Sequence, residues 1–139
     1  MLFVGIEVIF IKGWQMFEAV FLLLILLQIK HWYIDFVNQS MEEVHGKGIY
    51  GNWKGIQHSL KQGIGTTVCL LVVTGFGYLP FCIILGLVDF IVHYHVDWAK
   101  MNLNKKLGYT IEMPQFWALL GLDQLAHQLT YIGIAWAMI

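Results

Sequence analysis

The sequence predicts an all-α fold, a polytopic membrane helical bundle of about four transmembrane helices, and three observations carry that expectation. The 139 residues are 58% hydrophobic and 12% charged, with a mean hydropathy of +0.66. A soluble domain carries about 25% charged residues, and a soluble chain this short has too little interior to hide so much apolar side chain. The apolar residues also gather into four stretches close to the roughly 20 residues that cross a bilayer. Lipid is therefore expected to be the solvent for much of the surface.

Along the chain, Leu2 to Ile11 is apolar but too short to span. Residues 1–13 are left as an unassigned N-terminal apolar segment, an interfacial helix or an extension of the first span, and 14–139 form a single transmembrane domain. The segment makes a poor signal peptide, with no basic region ahead of it and no small-residue cleavage site. The first span runs from about Trp14 to Val37, with its apolar centre at Val20 to Leu27. The second runs from about Gly55 to Tyr78, and is most apolar over Thr66 to Phe76. The third, Leu79 to Ala99, is opened by Pro80, whose ring suits a first helical turn. The fourth runs from about Pro114 to Ile139.

Lysines orient the bundle, because they stay preferentially on the cytoplasmic side. Lys47 and Lys54 lie in the loop after the first span, with Lys61 just inside the second, and Lys100, Lys105 and Lys106 follow the third. The turn between the second and third spans carries no charge. Both lysine-bearing loops are thus expected on the cytoplasmic face, with Lys12 alone opposing. A net charge of −1 and the lack of a basic patch give no reason to expect nucleic acid. Cys69 and Cys82 lie in apolar runs without a CxxC pattern, and read as small buried hydrophobes.

Ionisable residues inside a span cost about 2.5–3.5 kcal/mol each on insertion scales, so they mark function by default. His31 and Asp35 close the first span, and His58 opens the second, with Gln62 a turn later. Asp89, His93 and Asp97 stack toward the end of the third, and Asp123 and His127 lie in the fourth, beside Gln124 and Gln128. Spacing of four puts each group on one helix face. The order is His then Asp on two helices and Asp then His on the fourth, as antiparallel neighbours need if the pairs are to meet at one depth. All of them lie toward the lysine-bearing end.

Imidazole and carboxylate without thiolate suit Zn, Mn or Fe(II). The expected metal ligands are His31, Asp35, His58, His93, Asp97, Asp123 and His127, more than one tetrahedral zinc uses. Two metals, or one metal with acid–base partners, would employ the set, and Asp97 and Asp123 are the candidates for catalytic acid–base work. A metal-dependent hydrolase acting on a lipid-linked or membrane-bound substrate is the leading expectation. Structural ion pairs (Asp97 with Lys100, Asp35 with Lys54), a scaffold role, or a proton or ion pathway are the alternatives. Asp89 is placed deeper on the same stripe. His45 is expected in solvent beside Glu42 and Glu43, and His95 off the stripe. Trp53, Tyr94, Trp98 and Trp117 read as an interfacial belt, and Gly63, Gly65 and Gly133 as sites of close helix approach. Self-association into a homo-oligomer is a further expectation for so thin a bundle.

At these residues the chain resembles the "domain of unknown function 3307" family. The resemblance rests on His31-x-x-x-Asp35-Phe36-Val37-x-Gln39, on Lys54 and His58, on His93-x-x-x-Asp97-x-x-Lys100, and on Leu122-Asp123-Gln124-x-x-His127. It covers about Gln28 to the C-terminus. It implies a small multi-spanning protein of bacterial or phage source, and with that the inner membrane, but it implies no reaction. Where such proteins often carry a second histidine after His58, this chain has Gln62.

Overall fold

Four long helices pack as a bundle, and a short helix lies at its lysine-bearing end. The computed structural model describes the backbone of residues 2–139 and the side chains of residues 15–139, and no strand occurs among them. Helix α1 (Leu2–Trp32) joins most of the unassigned N-terminal segment to the first expected span. It passes into a single π turn, Tyr33–Val37, seen in the bond from Asn38 N–H to the Tyr33 carbonyl at 2.8 Å.

The stretch expected to be a loop then folds as α2 (Met41–Lys47). Its start is a capping box: the Ser40 hydroxyl accepts from Glu43 N–H (3.2 Å), and the Glu43 carboxylate accepts from Ser40 N–H (2.8 Å). Helix α3 (Trp53–Thr74) is capped by Asn52, whose side chain accepts from Lys54 N–H at 2.9 Å. It stops at Gly75, where φ of 79° ends the helix and a 3-10 turn, Phe76–Tyr78, follows. Helix α4 (Leu79–Leu107) carries Pro80 in its first turn, as expected, but continues beyond Ala99 before Gly108 closes it in the left-handed conformation. Helix α5 runs Pro114–Trp136. Two segments, Gln15–Val37 and Phe76–Leu107, are long and apolar enough to cross a membrane.

Side chains are distributed inside out. Among the described residues thirteen polar or charged side chains are buried against ten apolar ones, so the interior is set by polar contacts as much as by oil. The apolar core lies toward the end away from α2, around Leu23, Leu27, Leu70, Cys82, Leu85 and Tyr131. The outer faces carry exposed Phe21, Ile25, Val68, Val72, Ile84, Ile91, Leu129 and Ile132.

Two glycine contacts set the packing. Helices α3 and α4 meet at Gly63 and Gly86, where a Cβ on Gly63 would lie 2.6 Å from the Gly86 carbonyl oxygen and one on Gly86 would lie 2.7 Å from that of Gly63. Gly46 likewise seats α2 on the start of α3 against Gly55, whose Cβ would come within 2.8 Å of the Gly46 carbonyl. Gly65 packs on the Lys30 stem, but Gly133 faces open space, so the expectation of close approach fails there. The belt reading fails for Tyr94, which is buried with its hydroxyl accepting from Gly51 N–H at 2.6 Å.

Replacing Gly86 by Ala drives a methyl into backbone and the Thr67 hydroxyl, and is expected to cost about 1–3 kcal/mol, read as a lowered midpoint in thermal unfolding in detergent. The α2 cap is pH-sensitive. Burial pushes the Glu43 carboxyl up, but Lys61 and Ser40 N–H outweigh it and hold it below the usual carboxylate range. A carboxyl depressed by folding stabilises above its unfolded pKa, near 4.3 for Glu, and loses that contribution as pH falls through its folded value. Acidification is therefore expected to loosen α2, seen as faster amide exchange across 41–47, and Glu43→Gln should remove the part of that pH dependence that comes from the cap.

Candidate metal centre

The π turn at the end of α1 decides where Asp35 points. One extra residue in the turn swings its carboxylate inward, where it is 4% exposed, and single π turns of this kind recur at functional sites. Asp35 Oδ1 meets His58 Nε2 from α3 at 2.9 Å and His93 Nε2 from α4 at 3.5 Å, and the two imidazole nitrogens are 3.2 Å apart. Three donors from three helices thus converge on one point. A tetrahedral ion with bonds of about 2.0–2.1 Å holds its ligands at about 3.3–3.4 Å from one another. The three edges fall on either side of that value.

Asp97, one turn after His93, closes the other side of the imidazole pair. Its Oδ2 lies 3.3 Å from His93 Nε2 and 3.6 Å from His58 Nε2. No protein group hydrogen-bonds Nδ1 of either histidine, whereas Nε2 of His58 faces the Asp35 carboxylate, which can only accept, at 2.9 Å. Lys47 of α2 reaches in from above, with Nζ 3.0 Å from Asp97 Oδ2. His127 stacks on His93, ring centroids 4.0 Å apart, and its Nε2 is 3.7 Å from Asp97 Oδ1 and 3.4 Å from Asp123 Oδ1. All seven expected ligands are buried.

Residues 20–139 match the sequence model of a family described as "Protein of unknown function (DUF3307)". The chain belongs to this family. No curated protein and no solved structure gave a significant match.

In this family member His31 stands apart from the other expected ligands. Gln124 Nε2 donates to Asp123 Oδ2 (3.2 Å), which turns its Oε1 to accept from His31 Nε2 (2.9 Å). His31 Nδ1 then accepts from the Tyr131 hydroxyl (2.9 Å), whose oxygen accepts from Lys30 Nζ (3.1 Å). Both nitrogens of His31 are committed, and it lies beside Asp35 Oδ2 at 3.5 Å. The side chain that hydrogen-bonds the Asp35 carboxylate from α3, beside His58, is Gln62: its Nε2 donates to Asp35 Oδ1 at 2.8 Å while its Oε1 accepts from Lys30 at 2.8 Å.

Asp89 lies below this layer and belongs to a separate buried pair. Lys30 Nζ is 2.9 Å from its Oδ2, which also accepts from the Thr66 hydroxyl at 2.5 Å. Lys30 and Tyr131 escaped the sequence reading, which took Lys47 only as a loop lysine and Thr66 only as the start of an apolar run. The available signal was charge, since four aspartates on inward stripes demand cations and Lys30 is the one lysine inside the first apolar run. The ion pairs also differ from those expected: Lys54 pairs with Glu42 (2.7 Å) rather than Asp35, and Lys100 leans to Asp123 (3.9 Å) rather than Asp97. His45 and His95 are exposed, His95 contacting Tyr50, as expected for residues off the stripe.

Removing the cation of the lower pair with Lys30→Met strands a buried carboxylate, an expected loss of about 3–5 kcal/mol. Adding Asp89→Asn should restore part of it, and a double-mutant cycle on thermal unfolding in detergent measures the recovery.

Proposed function

We propose that the protein is a polytopic inner-membrane protein whose four long helices span the bilayer, and that it binds a divalent metal ion at Asp35, His58, His93 and Asp97 near the cytoplasmic face. The observation that carries the metal is the convergence of Asp35 Oδ1, His58 Nε2 and His93 Nε2 within 3.5 Å of one another, with Asp97 Oδ2 beside both imidazoles. Two imidazole nitrogens facing each other at 3.2 Å repel unless a proton or a cation lies between them. The inverted burial pattern and the two apolar segments support the membrane reading, and the lysines at the α2 end support its orientation. Imidazole with carboxylate suits Zn, Mn or Fe(II), which would lend Lewis acidity to the site.

The hydrolytic form of this reading gives Asp97 and Asp123 acid–base work on a lipid-linked substrate. It further requires a route for substrate, and the four ligand side chains are at most 4% exposed, which favours holding a metal over turnover. The Lys47–Asp97 ion pair favours a second reading, in which lysine supplies the internal cation and the network only fastens the helices.

Protein purified in detergent without chelator is expected to carry Zn, Mn or Fe by elemental analysis, and His58→Ala or His93→Ala should remove it. Folded, metal-free wild type that takes up none of these ions would leave only the structural network. Gln62→Ala, which frees the Asp35 carboxylate to turn, is expected to weaken metal affinity about 10–100-fold, measured by competition with a chromophoric chelator.

A further inference from the structure

We infer that Asp97 bridges to a second, weaker metal position formed by Asp97 Oδ1, His127 Nε2 and Asp123 Oδ1; this inference rests on the metal reading above. His127 is 1% exposed, yet neither of its ring nitrogens has a hydrogen-bond partner, and Asp123 Oδ1 has none either. Buried donors and acceptors are almost always satisfied, so three orphaned atoms on two adjacent side chains call for a ligand. His127 Nε2 faces both carboxylates, 3.4 Å from Asp123 Oδ1 and 3.7 Å from Asp97 Oδ1.

The carboxylates are divided in a way that suits a shared ligand. Asp97 turns Oδ2 toward His58 and His93 and Oδ1 toward His127. Asp123 gives Oδ2 to Lys100 and Gln124 and leaves Oδ1 without a hydrogen bond, turned toward His127. His93 stacks on His127, and donor atoms of His93, Asp97 and His127 all lie within 4.8 Å of one another, so the two positions adjoin through Asp97 and His93.

Charge ranks the two positions. A dication among Asp35, Asp97, His58 and His93 is neutralised by two carboxylates. Lys47, 3.0 Å from Asp97 Oδ2, and Lys100, 3.9 Å from Asp123 Oδ2, offset charge at both positions, and the second adds only one carboxylate, Asp123, so a second dication binds more weakly. The ligands are nitrogen and oxygen only, and Mn(II) or Zn(II) alone are suitable probes.

The test is a metal titration of chelator-stripped, full-length protein in detergent, with ion content by elemental analysis and Mn(II) coupling by electron paramagnetic resonance. Wild type is expected to saturate at two ions per chain with a spin-coupled spectrum. His127→Gln and Asp123→Asn should each fall to one ion with an isolated Mn(II) signal, while His58→Ala lowers the tighter step. Wild type that saturates at a single ion, with His127→Gln unchanged, overturns the second position and leaves the first standing. Folded wild type that binds no ion overturns both. If either variant fails to fold, the wild-type stoichiometry and coupling decide the matter.

Discussion

Asp97 is the group on which the arrangement depends. A carboxylate removed from water costs several kcal/mol unless its charge is met, and this one is met from four directions. His93 approaches from its own helix, His58 from α3, His127 from α5 and Lys47 from α2. Since no single helix supplies enough partners, the charge can be satisfied only when all of these elements are in place. Burial of one acid thereby becomes a specification of the bundle, in an interior where apolar packing alone would leave helices free to slide.

The same constraint organises the layer below. Lys30 is held by Asp89, Gln62 and Tyr131, and both Gln62 and Tyr131 pass that order upward, one to Asp35 and the other to His31. Two charged clusters separated by a helical turn are therefore coupled through hydrogen bonds whose donor directions are fixed. The apolar core around Leu23, Leu27 and Leu70 fills the opposite end and contributes none of this directionality.

Much of this was legible in the chain. Four-residue spacing placed the acids and histidines on inward stripes, and the reversed order in the fourth helix foretold that the pairs would meet at one level. Hydropathy found the long helices and Pro80 and Pro114 marked two starts. What could not be read were features set by tertiary contact. Helix α2 is short and polar, and only its seat on Gly55 turns Lys47 from a surface charge into an interior one. Lys30 looks like a stray charge in an apolar run until Asp89, far along the chain, is brought beside it. The partnership of His31 with Tyr131 and Gln124 likewise spans distant sequence, so stripe geometry alone gave it the same standing as the other histidines.

The π turn at Tyr33–Val37 has a further consequence, for the kinds of change the chain tolerates. A point substitution there alters one side chain, whereas deleting one residue would relax the turn to an ordinary helix and rotate everything before it by about 100° relative to everything after it. Helicity, length and hydropathy would scarcely change. Yet His31 and Asp35, now on the same side of the bundle, would face different neighbours. In descendants of this chain, the spacing between these two residues should drift far less readily than the apolar residues around them.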